Sequence, residues 1–472
     1  MFNRLVSCKP GLGMARFNVG TCEPGPDLAE SWEVSADGTV WIFRLRKGVH
    51  FQNLPPVNGR EVTADDVKYS FDMYKKSPAE SSLFDSVQKV EATDKYTVKV
   101  YLTGPNPDFI IETPAEVYIV IQPHEVADRD GDFKKTMVGT GPFQVKQIIG
   151  KDQIIYERNP GYFVPDAPLL DGLEYYVITD LATERAMYRA GQIQWTSSPS
   201  ASRSEWESIM ASNPNTAVQI FEWDWGSWVL YMRLDQAPFN DIRVRRAISL
   251  AIDRPGIIKD IFRGDGSVMN PLPWRFVSDA KPPLTQFPWY QYNPSKAKQL
   301  LADAGYPNGF SFTVDYYSYP QITPQLPVIQ NDLKAIGVDL KGTVRDNTTA
   351  TALLRNRSYK DSLVSYVITR TSANGFYYQP LYSKSSNNWA GVNDPSLDKI
   401  LEASALEPDP AKRRDLFKKA FDMEADQVWR IPLVWPKQAY IMSSKLHNFV
   451  YTVNAIPIYK LAHAWDYLWL EQ

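Results

Sequence analysis

The sequence predicts an α/β protein, on three observations. Its 472 residues amount to about three domains at roughly 150 residues each. Its first third reads as β-rich with inserted helices. Its later part alternates helix and strand. Hydrophobic residues make up 44% and charged residues 22%, a globular composition that argues against wholesale disorder. Lys plus Arg number 51 and Asp plus Glu 54, for a net charge of −3. A near-neutral chain has no basic field to hold nucleic acid and no polybasic segment for an anionic membrane. No run approaches 18 consecutive apolar residues, so no membrane-spanning helix is expected, and no charged segment followed by an apolar one marks an export signal.

Taken in order, Val40–Leu45 is a run of β-branched and aromatic residues closed by Arg46-Lys47-Gly48. Tyr96, Val98, Val100 and Leu102 alternate with Thr97, Lys99 and Tyr101, which is strand periodicity. Between them Thr63-Ala64-Asp65-Asp66 approximates a capping box, with Val67, Phe71 and Tyr74 at helical spacing behind it. Further on, Asn293 caps a helix with Pro294 in its first turn. Ala297, Leu300, Leu301 and Ala304 form its apolar face and Gly305 ends it. Phe310, Phe312 and Val314 alternate as a strand, and a helix before Gly337 leads into Val338-Asp339-Leu340. Strand–helix–strand in that order implies a right-handed crossover and a parallel pair. Asp394-Pro395 and Asp409-Pro410 open two more helices, carrying Leu397, Ile400 and Leu401, then Leu416, Phe417, Ala420 and Met423. The Pro-interrupted apolar stretch from Ile431 suits strands and a last crossing.

Catalytic signatures are sparse. Four histidines (His50, His124, His447 and His463) stand far apart. His124-Glu125 starts like a zinc-protease helix, but Asp128 occupies the fifth position, so His124 reads as structural. Gly11-Leu12-Gly13 and Gly139-Thr140-Gly141 each lack the third glycine of a dinucleotide loop, and Pro142 removes an N–H a phosphate would need. Asp65-Asp66 fits a charged first helical turn. Glu222 and Asp224, in the Trp-rich segment Phe221–Trp228, are the carboxylate pair a glycoside hydrolase would use. Cys8 and Cys22 are the only cysteines; a disulfide in an exported protein and two free thiols both fit. Clustered metal ligands are absent, so nickel bound directly by side chains is not expected. No cofactor is implied. Aromatic residues reach 13%, with 14 Trp, and Pro numbers 35; such a composition suits either several aromatic cores or a cleft lined with rings.

Six blocks in order then carry a resemblance. They are Pro26-Asp27-Leu28-Ala29-Glu30-Ser31-Trp32 with Phe43–Val49; Asn58-Gly59-Arg60 through Val67 and Ser70; Val138–Phe143; Asn159-Pro160-Gly161-Tyr162; Asp241–Ala247 with Ala251–Arg254; and Tyr292-Asn293-Pro294 through Tyr306. The chain resembles the peptide/opine/nickel family of extracytoplasmic solute-binding proteins of ABC importers over nearly its whole length. The resemblance implies a two-lobed clamp of the periplasmic-binding-protein kind that closes on a small solute by a hinge and docks on the permease subunits. It implies a first lobe from 1–24, 139–255 and 444–472, an inserted subdomain at 25–138, and a second lobe at 256–443. It implies a monomeric, non-enzymatic receptor, periplasmic or tethered outside the membrane.

Candidate ligand contacts are Phe84, Trp225, Trp228, Trp274, Arg355, Arg370, Phe376 and Trp389, the rings enclosing the solute and the arginines pairing with an anionic group. Two departures from the family pattern matter. Members carry a signal peptide and one more strand ahead of the position of Phe2-Asn3-Arg4-Leu5, and neither is in this sequence. Peptide-binding members also place an Asp within the segment matching Ser365–Gln379; here it holds no acid, and Arg370 falls near that position. An anionic solute or an oligosaccharide therefore stands beside an ordinary peptide as the expected ligand, and a secreted glycoside hydrolase using Glu222 and Asp224 is the reading from a different class.

Overall fold

The structure is a computed structural model that describes residues 1–8, 23–77, 80–116, 118–196, 202–221, 228–268, 270, 272–366, 372–449 and 466–471. The chain divides into two compact units: Met1–Ser198 with Glu207–Gln219 and Tyr440–Gln472, and Pro199–Trp206 with Ile220–Ala439.

In the first unit, strands Ala29–Val34, Val40–Leu45, Thr97–Leu102 and Val87–Asp94 form an antiparallel sheet in that order. Alternation puts Trp41, Phe43 and Leu45 on the buried face beside Val98, Val100 and Leu102. Helix Ala64–Lys75 buries Val67, Phe71 and Tyr74, and these residues belong to one continuous core running from Leu5 to Val138. The capping box at its start is complete, Asp66 Oδ2 accepting from the Thr63 N–H at 2.9 Å. Arg60 bridges Asp66 and Glu125, so the acidic first turn is an anchored one. His124 meets Asp128 at 2.6 Å on an exposed helical turn. Strand Val6–Cys8 pairs with Pro24–Pro26; Cys8 is disulfide-bonded, and Cys22 lies outside the described residues. A second antiparallel sheet joins Phe143–Ile149, Gln153–Arg158 and Gly172–Tyr176.

The second unit is built on a five-stranded sheet in the order Val338–Arg345, Phe310–Tyr317, Ser362–Tyr366, Trp228–Met232, Arg430–Pro432. The first three strands are parallel and the last two antiparallel to their neighbours. The predicted crossover is there: helix Leu326–Lys334 connects strands paired Phe310↔Val338 through Tyr317↔Arg345. Asn293, Asp394 and Asp409 cap their helices by accepting backbone N–H groups at Lys296, Ser396 and Leu397, and Ala411 and Lys412. Gly305 adopts φ +91° just past the first of these helices, a left-handed conformation that suits glycine.

The division departs from the expected one at residues 220–255, which fold with the second unit and not the first. Strand Trp228–Met232 is interior to the five-stranded sheet, and its loss would split that sheet in two. Helix Ile242–Ala251 delivers the Leu250 carbonyl to Asn293 N–H. Arg254, fully buried, donates to the carbonyls of Pro432 and Ser249. The segment is thus tied to the second unit by backbone pairing, a helix interface and a buried guanidinium.

Candidate functional site

Parallel strands bring their carboxyl ends to one edge of a sheet, and in α/β sheets ligand sites gather beyond that edge. In the second unit, strands Phe310–Tyr317, Val338–Arg345 and Ser362–Tyr366 end there, and the antiparallel strand Trp228–Met232 begins there, with Trp228 opposite Tyr366. Trp228 stacks on Trp435 with ring centroids 6.0 Å apart and planes 14° from parallel. It lies 5.5 Å from Tyr319 and 6.1 Å from Tyr317, and the two tyrosines stack on each other at 5.7 Å. Four rings thereby form one wall. Trp228, Trp435 and Tyr317 are buried and Tyr319 is half-buried. Burial and the neighbouring Tyr317 raise the Tyr319 hydroxyl above its ordinary pKa, so it stays a neutral donor.

Two polar features accompany the wall. Ser365, one residue before the end of its strand, is fully buried, and its hydroxyl has no hydrogen-bond partner among the described residues. Arg345 ends its strand and donates Nε to Asp315 Oδ1 at 2.7 Å. Its side chain is 41% exposed, and that of Asp315 is 10% exposed.

The sequence-derived contacts are dispersed. Trp228 is in the wall. Trp274, Phe376 and Trp389 lie elsewhere in the second unit and are buried, as Trp228 is: Trp274 beneath Arg275, Phe376 on Phe276, and Trp389 edge-on to Tyr231 at 5.9 Å. Phe84 packs in the core of the first unit, 5.3 Å from Phe71 and 6.4 Å from Tyr74. Arg355 is exposed at the end of helix Asn347–Arg355. Trp225, Arg370, Glu222 and Asp224 lie outside the described residues.

Sequence reasoning missed Tyr319, Trp435, Asp315 and Arg345. Tyr316, Tyr317 and Tyr319 clustered just past an alternating strand were the available signal for the ring wall; nothing in the sequence couples Asp315 to Arg345, thirty positions apart. The first unit also holds a cavity of about 380 Å³ between Gly172–Ile178 and Gln192–Trp195. Its carboxylates are engaged internally, Glu174 by Gln153 and Tyr176 and Glu184 by Arg185. Among the described residues, no group of three or more His, Cys, Asp or Glu could hold a metal, and no helix is long and apolar enough to cross a membrane.

A five-stranded sheet of this order, with a cluster of rings at its carboxyl edge, has the architecture of the periplasmic-binding-protein class. Residues 23–389 match the model of the bacterial extracellular solute-binding proteins, family 5, and the chain belongs to that family. It is 29% identical over 439 residues to the glutathione-binding protein GsiB of Escherichia coli strain K12, covering 89% of this chain and 82% of that one. Its structure is similar to that of the periplasmic binding protein DppA from Helicobacter pylori in complex with the peptide STSA, with a TM-score of 0.83, 27% identity and coverage of 100% and 92%. It is also similar to the binding protein MoaA of A. tumefaciens R10 in complex with mannopinic acid, with a TM-score of 0.78, 26% identity and coverage of 100% and 93%. The chain is a solute-binding receptor of ABC importers. Members of the family are binding proteins rather than enzymes, act outside the cytoplasm, and work with permease subunits.

Proposed function

We propose that this chain takes up a peptide-like or other carboxylate-bearing solute at the carboxyl edge of the five-stranded sheet and releases it to the permease chemically unchanged. The observation that carries this reading is the ring wall of Trp228, Trp435, Tyr317 and Tyr319. Stacked rings at a strand-end site offer a rigid apolar surface at low entropic cost. A glutathione-binding protein and proteins bound to a peptide and to mannopinic acid are all similar to this chain, which favours solutes of amino-acid or acid character.

In this reading the receptor works as a monomer, with 25–138 as an inserted subdomain of the first lobe, and performs no catalysis. The disulfide at Cys8 is in keeping with an oxidising, extracytoplasmic compartment. Of the sequence-derived contacts, Trp228 is retained as a direct one. Trp225 and Arg370 are proposed with it because they flank the same strand ends in the sequence.

Calorimetric titration of di- to tetrapeptides against cello- and chito-oligomers tests the proposal. A peptide should saturate at one per chain, and Trp228→Phe should bind more tightly than Trp228→Ala. Saturable binding of the sugars alone, or sugar cleavage abolished by Glu222→Gln, would overturn it.

A further inference from the structure

Arg345 differs from Arg233, Arg243 and Arg355 of the second unit in how it is held. It is the last residue of its strand, directly across from Tyr317 in the parallel register. Its Nε is taken by Asp315 Oδ1 at 2.7 Å, and Asp315 is only 7% exposed on the neighbouring strand. A guanidinium is planar, so fixing Nε to a buried carboxylate fixes the plane of the whole fork. The two Nη groups have no partner among the described residues. With 41% of the side chain exposed, they can be reached from solution.

Two residues on from Arg345 in the chain, Asn347 Oδ1 accepts from the Tyr319 hydroxyl at 3.3 Å, and Asp346 is occupied in capping helix Asn347–Arg355. No other described carboxylate competes for the fork. By contrast, Arg355 sits at the end of that helix with no carboxylate holding it, and Arg233 and Arg243 spend their forks on Asp235 and Asp241.

We infer that Arg345, oriented by Asp315, reads a carboxylate of the solute, while the apolar part of the solute lies against Tyr319 and Trp228. The inference rests on the receptor reading above and adds to it the residues that hold the solute's carboxylate. Two parallel N–H donors match the two oxygens of a carboxylate, and neither an amide nor a sugar hydroxyl accepts both equally well. Arg345 is then the contact residue, and Asp315 is a positioning residue that acts only through it.

The experiment is a calorimetric panel of di- to tetrapeptides, each supplied as the free acid and as the C-terminal amide. It is run on the wild type, Arg345→Gln, Arg345→Lys and Asp315→Asn, with thermal unfolding of each variant recorded alongside. The wild type should prefer free acids by about tenfold, the effect of a charge-assisted pair at a partly exposed site. Arg345→Gln should bind acid and amide alike, and Arg345→Lys should keep part of the preference. Asp315→Asn should weaken the acid selectively while leaving amide binding unchanged, a split that mere structural damage would not produce. Equal affinities for acid and amide in the wild type, or a preference that survives Arg345→Gln, would overturn the assignment and leave the receptor reading standing. A wild type that binds no peptide in either form would overturn the receptor reading for peptides, and this assignment with it.

Discussion

Replacing Arg430 by Met tests how the second unit holds charge in its core. Arg430 is 1% exposed and its Nε donates to Oε1 of Glu424, itself fully buried, at 2.9 Å. Burial pushes the Glu424 carboxyl up from its ordinary value of 4.5, while Arg430 and, more weakly, Arg245 hold it down. Without Arg430 the carboxylate is stranded, and the least costly response is to take up a proton. Neutralising a carboxyl of ordinary pKa 4.5 at pH 7 takes about 1.36 kcal/mol per pH unit, hence about 3.4 kcal/mol. Arg245 offsets part of that, so Arg430→Met should destabilise by about 2–3.5 kcal/mol at pH 7, near the range for broken buried pairs. At pH 5 the same step takes only about 0.7 kcal/mol, so most of the defect should vanish. Glu424→Leu combined with Arg430→Met removes both charges and should recover most of the loss. Urea unfolding followed by tryptophan fluorescence at pH 7 and pH 5 measures all of this. A loss equal at the two pH values, or no recovery in the double variant, would refute the reasoning.

Other predictions concern the frame around the site. Hydrogen bonds from Lys95, the Gly48 N–H and Tyr96 hold the Glu61 carboxyl down at about 2. Because the folded value lies below the ordinary 4.5, its contribution is present above that value and fades as pH falls toward 2. Glu61→Gln should therefore flatten the acid limb of the melting temperature between pH 5 and pH 2.5, and an unaltered limb would count against the assignment. Asp394→Ala removes the acceptor for the Ser396 and Leu397 N–H groups at the start of helix Pro395–Leu406, and should lower stability by about 1 kcal/mol in urea unfolding; Asp394→Asn should not.

Much of the architecture is legible in the sequence because its signals are local. Helix caps at Thr63, Asn293, Asp394 and Asp409, alternation at 97–102, and the strand–helix–strand order around 310–340 each depend on a few adjacent residues. The membership of 220–255 was not legible from local pattern, because it is decided by which strand Trp228–Met232 lies beside, and both its neighbours are distant in the chain. Aromatic residues were ambiguous for a similar reason. Trp228, Trp274, Phe376 and Trp389 share a composition signal and are all buried, yet among them Trp228 begins a strand at the carboxyl edge. The Asp315–Arg345 pair follows from parallel register, which places Arg345 two residues beyond Thr343, the partner of Asp315. Neither residue carries that information alone.

Native mass spectrometry of the freshly purified protein addresses the central claim most directly. The account predicts a small solute retained at one per chain, released by denaturation with its mass unaltered, and exchangeable for an added peptide of the free-acid form. Fragments accumulating beyond one per chain when that solute is returned in excess would show turnover, and would contradict the account.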